Sequence, residues 1–202
     1  MRYHSSHPSG RHFLQIPGPT NVPDRVLRAM GFPTIDHRGP EFKELGKKVL
    51  ADLQKIFQTV SHVIIYPSSA TGAWEACLVN TLSPGDSVLM YETGHFATLW
   101  KKMADRLSLR VEFIEDDWRR GVDASRIEAK LTEDSTHEIK AVCVVHNETS
   151  TGATSNIPAV RRAIDNAKHP ALLFVDTVSS LASIDYRHDG RYVDICRHFY
   201  IF

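Results

Sequence analysis

The sequence predicts an α/β fold, a mostly parallel sheet with helices on both faces. Strand-like and helix-like segments alternate along the chain with short connections, the pattern of consecutive βαβ units. Two runs, Ala141 to Val145 and Leu172 to Val175, are unbroken apolar stretches, as strands covered on both faces are. The stretch Val63 to Asn80 reads as strand, small-residue turn and helix in immediate succession.

The composition narrows the function classes. With 202 residues, 42% of them hydrophobic, the chain can bury the core of one full domain. Lys+Arg and Asp+Glu both number 24, so no basic footprint argues for a nucleic-acid partner. No apolar run reaches the length of a membrane span, and the N-terminus, M-R-Y-H-S-S-H-P-S-G-R-H, is too polar for a signal peptide. Cys77, Cys143 and Cys196 sit in apolar runs, not paired motifs, and read as reduced core residues of a cytoplasmic protein.

In chain order, residues 1–14 form a polar tail. His4, His7 and His12 are metal-ligand types, but a mobile tail accounts for them and no metal site is expected. Gln15 to Pro23 holds three prolines and a glycine, which forbid helix and central strand, so it runs extended over the surface. A short helix follows over Asp24 to Met30. Asp36 to Pro40 is irregular; His37 and Arg38 there either face a ligand or partner subunit or belong to a solvated loop. From Glu41 to Phe57, apolar residues at Phe42, Leu45, Val49, Leu53 and Ile56 mark an amphipathic helix.

Val63 to Ile65 reads as a buried strand ended by Pro67, followed by the small residues Ser68 to Gly72 and a helix over Ala73 to Val79. Ser83 to Asp86 is a turn. Ser87 to Tyr91 is a strand, Phe96 to Leu107 a helix, Leu109 to Ile114 a strand, and Ala124 to Leu131 a helix capped by Asp123. The strand Ala141 to Val145 ends in His146-Asn147-Glu148-Thr149-Ser150-Thr151-Gly152. Ile157 to Asn166 is a helix with Pro158 in its first turn, where proline is tolerated. The strand from Leu172 ends in Asp176.

In such a sheet, ligands bind beyond the carboxyl ends of the strands. The turn at 68–72 opens a helix whose first N–H groups have no internal partner and favour an anion, with Ser69 and Thr71 adding hydroxyls. An ordinary capped strand-to-helix connection explains the same residues. The spacing fits neither the P-loop nor the dinucleotide fingerprint. Four strand ends carry polar or aromatic residues: Ser69 and Thr71, His95 and Phe96, Asn147 and Thr149, and Asp176. A buried Asp176 needs a positive or donating partner, unless it merely caps the next turn. One pocket collecting a phosphate cradle, an aromatic plate and such a carboxylate describes pyridoxal phosphate better than a nucleotide.

Six segments carry a resemblance: P-G-P-T-N-V-P at 17–23, D-H-R-G-P-E-F at 36–42, S-A-T-G-A-W-E-A at 69–76, E-T-G-H-F at 92–96, H-N-E-T-S-T-G at 146–152 and V-D-T-V-S-S-L at 175–181. Together they resemble the class V (fold type I) pyridoxal phosphate-dependent aminotransferases, near the serine–glyoxylate and alanine–glyoxylate groups. The likeness implies that residues 15–195 are the cofactor-binding large domain. It implies that Ser69, Ala70 and Thr71 hold the cofactor phosphate and that Phe96 is the plate on the ring. Thr149 would lie near the ring's phenolic oxygen, and Asp176 would pair with the ring nitrogen. A small amino acid, serine or alanine, and glyoxylate or another 2-oxo acid would be the substrates. Relatives are homodimers with their sites at the subunit interface, near segments 15–23 and 36–40.

The sequence departs from that pattern at two places. Relatives usually have glycine where Ala70 stands, and an alanine held at positive φ would cost about 1 kcal/mol. Residues 196–202 diverge as well. The Schiff-base lysine of the family, expected near Phe202, is absent, and so is the small C-terminal domain with its substrate-binding arginine. A frameshift, a truncated gene or a misassembled reading frame would explain the change. The chain by itself is therefore expected to be inactive, the alternative being a non-catalytic remnant that folds partly and binds the cofactor weakly. A cysteine desulfurase-like lyase would place histidine where Phe96 stands, and a nicotinamide-dependent oxidoreductase would need the missing glycine fingerprint.

Overall fold

The computed structural model describes residues 13–189 and the backbone of 199–200. Its elements run α1 (Asp24–Met30), α2 (Pro40–Phe57), β1 (Ile64–Ile65), α3 (Ala70–Thr81), β2 (Ser87–Tyr91), α4 (His95–Arg106) and β3 (Arg110–Ile114). Then come α5 (Ala124–Glu133), β4 (Ile139–Val145), α6 (Ile157–Asn166), β5 (Leu172–Asp176) and β6 (Phe199–Tyr200). The central sheet has four strands in the order β3-β2-β4-β5, and every pairing is parallel.

Alternation along the strands divides the interior into two cores, because successive strand residues point to opposite faces. Leu89, Tyr91, Val142, Val144, Leu173 and Val175 pack on one face with side chains of α5 and α6. Val88, Met90, Ala141, Cys143, Val145 and Phe174 pack on the other with α3 and α4. The doubly covered sheet expected from the apolar runs is present, and the helices follow the predicted segments to within a few residues at each end. Asp123 caps α5 by accepting from Ser125 N, and Pro158 sits in the first turn of α6. Cys77 and Cys143 are buried. Cys196, the histidines of the tail and the strand-like Asp194–Ile195 lie outside the described residues.

The expectation of a buried strand at Val63–Ile65 is corrected. Only Ile64 and Ile65 form a strand, and they are 47% and 51% exposed. They pair in parallel with β6, apart from the central sheet, and only Val63 packs against the core. Apolarity states what a segment can bury and not which layer covers it. The same holds for α2: its last turns bury Leu53 and Phe57, while Phe42, Leu45 and Ile56 stay more than two-fifths exposed. The segment 15–23 is exposed and forms neither helix nor strand, as expected, but it bends at 16–19 and does not run extended throughout. His37 and Arg38 are exposed, and Asp36 accepts from Arg38 N in a local turn.

Candidate functional site

The strand order places a switch point between β2 and β4, since the chain moves outward to β3 on one side of β2 and to β4 and β5 on the other. Beyond their carboxyl ends lies a cavity of about 220 Å³. Helix α3 contributes Ala70, Thr71 and Trp74 to its wall, and α4 contributes Phe96 and Leu99. The loop after β4 contributes Asn147 and Thr149, and β5 with its following turn contributes Asp176, Val178 and Ser179. Pro17, from the N-terminal segment, closes one side.

Five of the six residues expected to hold the cofactor, Ala70, Thr71, Phe96, Thr149 and Asp176, therefore share one wall-lined space. Ser69 does not line it: it is the exposed N-cap residue of α3, and its side chain makes no cap hydrogen bond. His95 is also exposed, with its ring against the edge of Phe96 at 5.5 Å. Ala70 opens α3 and is not among the residues with positive φ, so the left-handed penalty does not arise. The glycine requirement falls two residues later. A Cβ on Gly72 would stand 2.0 Å from Ser68 Oγ.

The helices that open at this end of the sheet differ in their N-termini. Asp123 caps α5 and Asn156 caps α6, by accepting from Ser125 N and Ala159 N. The first turn of α4 donates to Glu148 and Ser150. Among the described residues, no side chain accepts from the first turn of α3. Its first residues, Ala70 and Thr71, line the cavity, and a helix start with no side-chain acceptor suits a phosphate.

Asp176, which also lines the cavity, is 8% exposed. Its Oδ1 accepts from Val178 N at 2.8 Å and its Oδ2 from Trp74 Nε1 at 3.0 Å. Burial raises its pKa above the ordinary carboxylate value; these two donors pull the other way, and the charge of Glu148 adds to the rise. No cation is among the residues lining the cavity. A buried carboxylate so placed has room for a cationic partner from a ligand, and a protonated ring nitrogen matches that need.

Sequence reasoning missed Trp74 and Ser179. Trp74 lies three residues after Thr71 and four after Ala70, so a helix puts all three on one face. A buried indole also seeks an acceptor, which was the available signal. Ser179 had no such signal. It accepts from Asn147 Nδ2 at 2.9 Å and donates to Asn147 O at 2.8 Å, joining two loops that are 32 residues apart. His146, buried under this floor, has no hydrogen-bond partner for Nδ1, and burial lowers its pKa.

Comparison with known proteins bears on the same site. A serine–glyoxylate aminotransferase of Methylorubrum extorquens is 52% identical over 186 residues, covering 92% of this chain and 46% of that protein. An L-aspartate–glyoxylate aminotransferase of Paracoccus denitrificans is 50% identical over 181 residues, covering 89% of this chain and 46% of that protein. The crystal structure of an alanine–glyoxylate aminotransferase from Nostoc sp. superimposes with a TM-score of 0.79 at 30% identity, over 90% of this chain and 47% of that one. The chain thus spans about half the length of the relatives it matches. The aminotransferase class-V family model matches residues 12–196, a span that includes every wall of the cavity, and the chain belongs to that family.

Proposed function

We propose that the chain is the cofactor-binding part of a pyridoxal 5'-phosphate-dependent aminotransferase acting on a small amino acid, serine or alanine, and glyoxylate or another 2-oxo acid. The observation that carries this is the buried, doubly hydrogen-bonded carboxylate of Asp176 in one cavity with the uncapped N-terminus of α3. Thr71 and the first turn of α3 would hold the phosphate, with Ala70 giving close backbone approach and Ser69 at the rim. Phe96 would cover the ring and Thr149 would reach its phenolic oxygen. Asp176 would keep the ring nitrogen protonated. When bound, the cofactor supplies an electron sink for the carbanion left by loss of the substrate's α-proton. The names of the relatives, which include serine– and L-aspartate–glyoxylate aminotransferases, support glyoxylate as acceptor and leave the donor within small amino acids.

The chain's own residues bind and orient; they do not move the proton. No lysine is among the residues lining the cavity, and none follows Lys168 in the sequence. General acid–base catalysis by a positioned group is typically worth about two to four orders of magnitude. Residues 1–202 alone should therefore bind the cofactor and fail to turn over serine or alanine with glyoxylate. The exposed apolar residues of α2 and of the N-terminal segment support a second copy of the chain as partner, in a homodimer. The cytoplasm suits a protein whose cysteines Cys77 and Cys143 sit buried in apolar runs.

Equilibrium dialysis of pyridoxal phosphate against residues 1–202 tests the reading. Saturable binding is expected, weakened by at least about 30-fold in Asp176→Asn, because breaking a buried charge pair costs a few kcal/mol. Binding that Asp176→Asn leaves unchanged, or no binding at all, would overturn it.

A further inference from the structure

Glu148 is a fully buried carboxylate with no part in the cavity wall. It sits between Asn147 and Thr149, which do line the cavity, and its side chain runs to the start of α4. Its Oε1 accepts from Phe96 N and its Oε2 from Ala97 N, both at 3.2 Å. Oε1 also accepts from Ser150 N at 3.2 Å and from Ser150 Oγ at 2.7 Å. Ser150 Oγ in turn accepts from His95 N at 3.0 Å. The first three N–H groups of α4 are thus all satisfied by a loop more than fifty residues away.

A helix start is ordinarily capped by its own Ser, Thr, Asp or Asn. Here the N-cap residue is Gly94, which has no side chain to offer. A Cβ on Gly94 would stand 2.4 Å from Glu148 Cγ, so the glycine makes room for the distant cap. A local cap would stabilise α4 equally well and would leave it independent of the β4 loop. The arrangement present makes the backbone of Phe96 and the backbone of Thr149 one unit.

We propose that Glu148, with Ser150, is the positioning residue of the cofactor site, holding the Phe96 plate in register with the polar loop of Asn147 and Thr149. This rests on the cofactor reading above and goes beyond it, since Glu148 would touch neither cofactor nor substrate. Glu148→Gln tests the role with little change of volume. An amide has one accepting oxygen, so its NH2 group would be turned against one of the N–H groups that Glu148 now satisfies.

Two readouts on residues 1–202 decide it. Amide exchange followed by NMR, without cofactor, should show protection at Phe96 and Ala97 falling at least about tenfold in Glu148→Gln, with Val142–Val144 unchanged. Dialysis should show the Kd for pyridoxal phosphate rising about fivefold or more, and less than about twofold when Phe96 is already leucine. Ser150→Ala, at an exposed position, should give the same pattern at smaller size and serves if Glu148→Gln folds poorly. Equal loss of affinity with Phe96 or leucine at position 96 would make Glu148 a general stabiliser and overturn the proposal. So would unchanged exchange at Phe96 and Ala97. A wild-type chain that bound no cofactor would instead overturn the functional reading, with the exchange data still judging the tether.

Discussion

Replacing Trp74 by phenylalanine keeps an aromatic ring in the cavity wall and deletes one hydrogen-bond donor. The indole N–H is 3.0 Å from Asp176 Oδ2, leaving Val178 N as the other donor to that carboxylate. A hydrogen bond to a charged group is worth about 1.5–3 kcal/mol, so the ionised form of Asp176 loses roughly that much. Burial already holds its pKa above the ordinary value, and the neighbouring Glu148 acts in the same direction. The variant therefore raises it further. If cofactor binding requires the carboxylate, the acid limb of the affinity profile moves to higher pH. At alkaline pH, where Asp176 is ionised in both proteins, the affinities converge. Dialysis of pyridoxal phosphate from pH 5 to 9 measures this. Trp100→Phe is the control: Trp100 stacks on Trp74 at 5.5 Å, but its buried Nε1 has no hydrogen-bond partner, so its loss should leave the profile in place. An unshifted profile in Trp74→Phe would refute the donor role. A uniform loss at all pH values would show that Trp74 acts by packing alone.

Three further outcomes follow from the geometry. Burial lowers the pKa of His146, so the unfolded chain binds its proton more readily. That part of the stability is full above about pH 6.5 and is lost as pH falls below it, with a slope of up to about 1.4 kcal/mol per pH unit; urea unfolding at pH 7.5 and 5.5 should show the loss, and His146→Phe should reduce it without abolishing it, because burial also lowers the pKa of His169 and His188. Gly72→Ala gains about 1 kcal/mol of helix propensity, yet should destabilise, since the new Cβ meets Ser68 Oγ and Cβ at 2.0 and 2.8 Å; thermal unfolding in a Ser68→Gly background should reverse the sign. Cys77 and Cys143 should react with a thiol reagent only on unfolding, and rapid labelling of either in the native chain would contradict their burial.

The sheet was readable because its signals are local and redundant. Ala141–Val145 and Leu172–Val175 are apolar at every position, as strands covered on both sides are, and they pair with each other in the central sheet, β4 inside it and β5 at its edge. Helix α6 carried its cap, its first-turn proline and its apolar period in ten residues. Val63–Ile65 carried the same apolar signal and came out half exposed, because burial needs a covering layer that no local pattern encodes. α2 fared similarly: its stripe buries Leu53 and Phe57, while Phe42, Leu45 and Ile56 stay largely exposed.

The site divides along the same line. Thr71, Phe96, Thr149 and Asp176 could be read because each stands at a strand end, and a parallel sheet brings all strand ends to one side. What the sequence hid is how those residues are held. The bond from Trp74 to Asp176 spans 102 residues, and those from Phe96 and Ala97 to Glu148 span 52 and 51. No spacing rule reaches so far. Yet these bonds account for a difference between the two helices that line the cavity: side chains accept from the first turn of α4 and, among the described residues, none accepts from that of α3. α4 lies as near the cavity as α3, but Glu148 already occupies its positive end, and a second anion there would meet a buried carboxylate. The first turn of α3 keeps no side-chain acceptor among the described residues and shares its cavity with Asp176, and on the functional reading proposed above a ligand with a phosphate at one end and a basic ring nitrogen at the other would answer both.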